Sequence, residues 1–119
     1  MKIRIKGNSL RYRLTKRDVE LFSKNGYIEE AIDFGNRMLI YALQQNKLNN
    51  LSVIFENNKI TLLMPKVMAN EWELTDRVGF ECQYNNLFLL VEKDFKCLDN
   101  VAEDQSDNYP NPLSKVSRV

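Results

Sequence analysis

The stretch VGFECQYNNLFLLVEKDF, residues 78–95, decides the fold class of this chain. Two runs rich in aromatic and branched apolar residues flank Asn85-Asn86, and asparagine pairs favour turns because asparagine tolerates left-handed backbone conformations. The stretch therefore predicts a β-hairpin. Along its first run, Phe80, Cys82 and Tyr84 share one face, so Cys82 is predicted to pack in the core.

Asparagine residues also mark predicted turns in the rest of the chain. The 119 residues include fourteen asparagines against only four glycines. Residues 51–56 and 59–64 flank Asn57-Asn58 and form a second predicted hairpin. Residues 27–33 and 37–45 form a third, around a turn that contains glycine and asparagine.

The N-terminal residues alternate apolar and charged side chains, which predicts one strand at 2–6 and another at 10–14. The apolar positions change from odd to even numbers across Gly7-Asn8. Because the apolar side chains must stay on one face, this change predicts a bulge or a bend at Gly7-Asn8.

Two short helices are predicted between the strands. Thr15 followed three residues later by Asp18 resembles a capping box, and the helix that it starts should end before Gly26. A second helix is predicted where Met68 and Trp72 lie four residues apart, as on one helical face.

The predicted order is two strands, a helix, four strands, a helix and two strands. This order indicates an α+β fold with a curved, mostly antiparallel sheet or a small, partly closed barrel, carrying two short helices. A single domain is expected over residues 1–98. Residues 99–119 form an acidic, proline-containing C-terminal segment, which is either a latch on the domain or a solvated tail. No internal repeat of the solenoid type is visible.

Composition narrows the chemistry. The chain has no histidine, the residue most used for acid–base catalysis near neutral pH, and its two cysteines cannot form a four-cysteine zinc site. Two cysteines without a signal peptide are expected as free thiols in the cytoplasm. No apolar run of about 18 residues is present, so no membrane span is expected. No catalytic residue, metal site or cofactor is assigned.

The N-terminal residues 1–17 are rich in basic side chains, and we call them the basic stripe. These seventeen residues include seven basic side chains and no acidic one, although the whole chain has a net charge of only +1. The stripe fits a solvated strand face, or a face that pairs with the acidic C-terminal end. Nucleic acid is disfavoured as a partner, because Tyr12 points away from the arginines and no aromatic platform shares their face. The candidate binding residues of this stripe are Arg4, Arg11 and Arg13.

The stretch DFKCLDNVAEDQSDNYPNP, residues 94–112, holds the remaining candidates. Its carboxylates are ligands of the kind that calcium takes, but it lacks the glycine and the spacing of a calcium loop. No histidine is present to activate its cysteine. A tyrosine directly before a proline lies on a stiff, extended strip that suits docking. The candidate binding residues here are Cys97, Asp104, Asp107 and Tyr109.

The stretches MKIRIKGNSLRYRLTK, FENNKITLLMP, VGFE and LVEKDFKCLD, followed by EDQSDNYPNP, resemble a small uncharacterised bacterial protein family of about this length. The resemblance covers nearly the whole chain. It implies that residues 94–112 belong to the domain, with Asp104 and Asp107 meeting the face of Arg11 and Arg13. The family has no assigned activity, so the resemblance implies no catalytic role.

These observations favour a non-enzymatic cytoplasmic domain that binds a protein or a small ligand. The alternative is a small enzyme using carboxylates or a bound divalent ion, which requires a polar pocket with clustered carboxylates. A third function is single-stranded nucleic-acid binding through the basic N-terminal strands. Residues 87–91, LFLLV, are apolar, so we expect an unpaired sheet edge there, which would allow a homodimer by sheet extension.

Overall fold

The computed structural model describes residues 1–95, and residues 96–119 lie outside this description. Over residues 1–95, eight strands and two helices follow one another in the predicted order. The elements are β1 (Lys2–Lys6), β2 (Ser9–Leu14), α1 (Lys16–Asn25), β3 (Tyr27–Asp33), β4 (Met38–Asn46), β5 (Ser52–Glu56), β6 (Lys59–Pro65), α2 (Lys66–Leu74), β7 (Gly79–Tyr84) and β8 (Leu87–Lys93).

The described strands form two four-stranded sheets that do not close into one barrel. Sheet A has the order β1-β2-β8-β7, and sheet B has the order β3-β4-β6-β5. Four sequential hairpins pair antiparallel, whereas β2 with β8 and β4 with β6 pair in parallel. The α+β class and the mostly antiparallel pairing are thus confirmed. The two parallel pairs were not predicted, because turn signals report only strands that are neighbours in sequence.

One ββαββ unit occurs twice in this fold. The unit β1-β2-α1-β3-β4 precedes β5-β6-α2-β7-β8, and exchanging the units converts the strand order of sheet A into that of sheet B. Matching hydrogen bonds join the units, because Phe88 N–H donates to Asn8 O at 3.1 Å and Ile40 N–H donates to Asn58 O at 3.0 Å. The fold is therefore a structural duplication, which the sequence hides because equivalent positions share apolar character rather than identity.

The predicted bulge at Gly7-Asn8 is instead a two-residue hairpin turn. Ile5 pairs with Leu10 across it, and Gly7 has a left-handed φ of 53°. A two-residue turn always pairs an odd-numbered residue with an even-numbered one. The change of parity in the sequence is therefore a direct consequence of the turn, and the bulge prediction was wrong.

The apolar strand β8 is not a sheet edge. Residues 87–91 lie between β2 and β7, and the edge strands of the two sheets are β1, β7, β3 and β5. The prediction of an unpaired edge at LFLLV was wrong, because β2 pairs with β8 in parallel. A strand with neighbours on both sides and apolar packing beneath it is expected to be rich in apolar residues.

The caps of α1 are those that its sequence predicted. The Thr15 hydroxyl accepts from Asp18 N–H at 3.2 Å, Asp18 accepts from Thr15 N–H at 3.0 Å, and Gly26 ends the helix with a left-handed φ of 76°. In α2, Trp72 is fully buried and its indole N–H donates to the backbone of the following loop. Met68 packs against the core from a partly buried position, as its spacing from Trp72 predicted.

The helices and the hairpin turns lie at opposite ends of the molecule. Each helix joins the last residue of a strand in one sheet to the first residue of a strand in the other, so both helices lie beyond the same strand ends.

Cys82 is a free thiol that packs against the core, as its position on the same face as Phe80 and Tyr84 predicted. The core lies between the inner faces of the sheets and the helices, and its largest fully buried members are Trp72, Tyr12, Phe22, Leu14, Leu43, Leu51, Leu62, Met64, Leu89 and Val91.

Candidate functional site

Sheet A presents its basic side chains on one outer face. In β1 these side chains alternate with apolar ones, and the antiparallel register places Arg13 opposite Lys2 and Arg11 opposite Arg4. Directly paired residues project to the same side of a sheet. We call Lys2, Arg4, Lys6, Arg11 and Arg13 the basic face. The structure thus brings together the three predicted site residues of the N-terminal stripe.

Carboxylates neutralise part of the basic face. Oε1 of Glu92 on β8 lies 3.0 Å from Nε of Arg13 and 3.4 Å from Nε of Arg11. Oδ2 of Asp94, just after β8, lies 3.0 Å from Nζ of Lys2. A further carboxylate, Glu81, lies two strands away on β7. Within residues 1–95, Glu92 and Asp94 thus pair with three of the five cations of the basic face, Lys2, Arg11 and Arg13.

The register of β1 and β2 sets like charges against each other. Arg4 faces Arg11, and Lys2 faces Arg13. Cross-strand pairs contribute about 0.2–1 kcal/mol each when they are favourable, and like charges directly opposite each other destabilise a sheet. A hairpin that served stability alone would place acidic residues at one position of each pair. In this sheet, Glu92 of β8 and the following Asp94 supply negative charge to Arg11, Arg13 and Lys2 instead.

Phe88 and Leu90 add apolar surface to the same face. The parallel register pairs Phe88 with Ser9 and Leu90 with Arg11, so these half-buried side chains project outward beside the arginines. The prediction that no aromatic residue shares this face was therefore wrong. The sequence could not reveal Phe88 as a neighbour, because nothing in it indicates that β8 pairs with β2.

Tyr12 does point inward, as its alternation with the arginines predicted. It is fully buried, and its hydroxyl donates to Ile60 O at 3.2 Å, which links β2 of sheet A to β6 of sheet B. Burial raises the pKa of Tyr12 well above its ordinary value. The hydroxyl therefore stays neutral and acts as a structural donor between the sheets.

The other predicted site residues lie outside the described part of the chain. They are Cys97, Asp104, Asp107 and Tyr109. The predicted contact of the basic face with Asp104 and Asp107 falls outside it as well. Within residues 1–95, the carboxylate that Arg11 and Arg13 share is that of Glu92, which sequence reasoning did not single out.

A second charged cluster joins the edge strands of the two sheets. The α-amine of Met1 lies 2.8 Å from Oδ2 of Asp18 and 3.2 Å from Oε2 of Glu30. Burial opposes the charged amine, but hydrogen bonds to these carboxylates and their charges outweigh it and raise the pKa of the amine. Burial likewise opposes the charged form of Asp18, but hydrogen bonds from the amine and from Thr15 lower the pKa of that carboxyl.

Residues 1–95 include an open polar depression but no cluster of metal-ligating side chains. No three His, Cys, Asp or Glu side chains in this range lie close enough together to hold a metal ion, and no helix in it is long and apolar enough to cross a membrane. Enzyme sites usually occupy pockets on which polar groups from several elements converge. One open depression runs along α1 alone and is lined by Lys16, Arg17, Glu20, Leu21 and Lys24.

Apolar side chains are exposed at the end that carries the turns. Ile5 is 61% exposed and Phe55 is 68% exposed, although both belong to inner faces of the sheets. Ile32 and Tyr84 occupy the equivalent places on β3 and β7 and are exposed to a lesser degree. We call these four residues the open end. Exposed apolar surface of this kind is typical of protein-interaction sites.

Comparison with known proteins shows which family the chain belongs to. No curated protein and no solved structure matches the chain significantly. Residues 1–113 match a family whose description is a family of unknown function (DUF7009). This match runs through the whole described part and continues into the acidic segment, as the resemblance seen in the sequence implied. The chain therefore belongs to this family of unknown function, DUF7009.

Proposed function

We propose that this chain is a non-enzymatic binding domain whose basic face binds an acidic segment of a partner protein. The observation that carries the proposal is the gathering of five cations on one outer face, where the register places Arg4 opposite Arg11 and Lys2 opposite Arg13. A carboxylate placed between two such cations converts repulsion into two charge-assisted hydrogen bonds. Glu92, shared by Arg11 and Arg13, is an example of this geometry within the chain.

The spacing of the cations suits an extended ligand. Alternate residues of a strand lie about 7 Å apart, and side chains on one side of an extended peptide have the same repeat. A segment with acidic residues at every second position therefore places its carboxylates over successive cations of β1. Phe88 and Leu90 offer apolar contact along the neighbouring strand. The chemistry that fits is an acidic, extended peptide with some apolar side chains.

The binding test uses the full chain and a fluorescent oligoglutamate of twelve residues, followed by fluorescence anisotropy. We expect binding that weakens as salt rises from 50 to 500 mM, since the contact is electrostatic. The variant R4E/R11E should raise the dissociation constant at least tenfold. Reversal of Arg4 alone should weaken binding to a smaller extent, because it removes one cation of the basic face and adds one acidic side chain there.

The matched control is K16E/K24E, which makes the same change of net charge on the exposed surface of α1. Its affinity for the oligoglutamate should stay within about twofold of that of the natural chain. Equal weakening by R4E/R11E and K16E/K24E would show that only net charge matters, and the proposal would then fail. A natural chain that does not bind the peptide at 50 mM salt would also refute it.

Single-stranded nucleic acid is the second candidate, and Phe88 is the observation that favours it. Bases stack on aromatic side chains beside a basic groove in proteins of this class. The same titration with a twelve-residue oligothymidine separates the two ligands. Tighter binding of the oligothymidine, lost in the variant Phe88→Ala, would assign the basic face to nucleic acid instead of an acidic peptide.

We propose in addition that the domain acts in the cytoplasm of a bacterium. The resemblance of the sequence supports the bacterial origin, and the free thiol of Cys82 fits a reducing compartment. Fractionation of cells that express the chain provides the test. Recovery in the periplasmic or secreted fraction would refute the assignment.

A further inference from the structure

The four edge strands differ in how they are protected against pairing. Three of them carry a charged side chain in the middle of the strand, which disfavours pairing with another chain. These residues are Arg4 on β1, Glu30 on β3 and Glu81 on β7. The strand β5 has the sequence SVIFE, and its only charge is Glu56 at its end. Charged side chains on edge strands are a common protection against pairing with other chains. By this criterion β5 is the unprotected edge.

The free edge of β5 is apolar on both faces of the sheet. Ile54 is 44% exposed on the outer face, and Phe55 is 68% exposed on the inner face. The backbone of β5 forms a ladder with β6 on one side. Across residues 1–95, no backbone hydrogen bond from another element reaches its other side. The edge therefore offers both free backbone groups and apolar side chains.

We propose that a second copy of this chain pairs with β5 in antiparallel orientation, about a twofold axis at Ile54. The two B sheets then become one continuous sheet. In this register Ile54 faces its own copy, Val53 faces Phe55 and Ser52 faces Glu56, so no like charges meet. The same pairing of β1 would set Arg4 against its own copy, and that of β3 would set Glu30 against its own copy.

The neighbouring strand of sheet B supports this contact. On the outer face, Thr61 of β6 lies directly beside Ile54, Leu63 lies beside Ser52, and Lys59 lies beside Glu56 at the turn end of the strand. Pairing through β5 would therefore bring the two copies of Ile54 together beside uncharged side chains, with the Glu56–Lys59 pairs at the two ends of the contact. In strand addition the backbone hydrogen bonds supply affinity, and side chains on alternate faces supply specificity. A second copy fits because β5 is complementary to itself in both respects.

Sedimentation analysis of the full chain, from about 1 μM to 1 mM, tests the proposal. We expect a dimer whose dissociation constant rises at least tenfold in I54K, because each dimer then sets two lysines face to face. The control is I32K on β3, the opposite edge of the same sheet. Ile32 is 42% exposed, which matches the exposure of Ile54, and I32K should dimerise like the natural chain.

Cross-linking gives a second measurement that does not depend on the folding of a lysine variant. In a C82S/C97S background, I54C should form a disulfide-linked dimer under mild oxidation, because directly paired residues have Cβ atoms about 4.5–5.5 Å apart. I32C in the same background should form no disulfide-linked dimer, because β3 lies at the opposite edge of the sheet. If the chain is monomeric at every concentration, the proposal is overturned. The edge of β5 would then be a site for residues 96–119 or for a different protein. Equal effects of I54K and I32K, or equal cross-linking of I54C and I32C, would overturn it as well.

Discussion

Asp18 serves two structures with one carboxylate. It closes the capping box of α1 with Thr15, and it also holds the α-amine of Met1. The capping box could be predicted, because all its members lie within four residues of sequence. The contact with Met1 could not, because it depends on how β1 lies against α1 in the folded chain. Hydrogen bonds between residues that are close in sequence can be predicted from the sequence, whereas ion pairs that form only in the folded chain cannot, even when they involve the same residue.

The contact between Asp18 and the amine should make stability depend on pH in two directions. The lowered pKa of Asp18 contributes stability that is present above its unfolded value, about 3.9, and is lost as pH falls through the folded value. The raised pKa of the amine contributes stability that is present below its unfolded value, about 8, and is lost as pH rises through the folded value. The contribution is therefore complete between about pH 4 and 8.

The variant D18N should lower the free energy of unfolding by about 1 kcal/mol at pH 6, the upper end of the range for ion pairs at the surface, because this pair is half-buried. Urea unfolding at pH 3, 6 and 9.5 provides the measurement. The loss should be smaller at pH 3, because pH 3 lies below the unfolded pKa of Asp18, about 3.9, and part of the contribution is already lost there. The control E30Q removes a partner of the amine but leaves the capping box intact. A D18N deficit that is as large at pH 3 as at pH 6 would contradict the argument.

At the scale of elements, Gly79 sets the approach of β7 to β8. A Cβ at this position would lie 2.2 Å from Val91 O and 2.8 Å from the Cα of Glu92. No side chain fits there without moving the strand. Gly79 is also the register partner of Glu92, so the close approach supports the carboxylate that Arg11 and Arg13 share.

The variant G79A should therefore destabilise the fold by about 1–3 kcal/mol, the usual cost of overpacking. Urea unfolding at pH 7 measures the change. The matched control is Q83A, an exposed position on the same strand, where substitution should change stability by less than about 0.5 kcal/mol. If G79A were as stable as Q83A, the close contact of β7 with β8 would not exist in solution.

Hairpins could be predicted from this sequence, but their assembly into sheets could not. The asparagine pairs and the alternation of residues locate each strand and its antiparallel neighbour. The parallel contacts of β2 with β8 and β4 with β6 join residues far apart in sequence, and no turn sequence between these strands predicts their pairing. Two errors followed from this gap. They were the assignment of β8 to an edge and the failure to place Phe88 beside the arginines.

At the scale of the whole molecule, the duplication gives two similar sheets with different surfaces. The outer face of sheet A is basic, whereas the outer face of sheet B carries charges of both signs, at Lys59, Glu56 and Glu29, and the edge strand β5 is apolar at Ile54 and Phe55. The position of Arg4 in the first unit corresponds to that of Ile54 in the second. The equivalent positions of the two hairpins also differ at Lys2 and Ser52, at Arg11 and Thr61, and at Arg13 and Leu63. Several substitutions therefore separate the basic outer face of the first hairpin from the largely uncharged one of the second.

These two surfaces should cooperate if both proposals hold. A dimer formed through sheet B leaves both basic faces uncovered, so a long acidic chain can engage two faces and gain effective concentration. We therefore expect I54K to weaken binding of a polyglutamate of about 100 residues by at least tenfold. Binding of the twelve-residue oligoglutamate, which reaches one face, should be unchanged. Anisotropy titrations at dimer-forming concentration make the comparison, with I32K as the control. Equal weakening for both peptides would place Ile54 in the ligand contact itself, and no weakening for either would show that the two faces act independently.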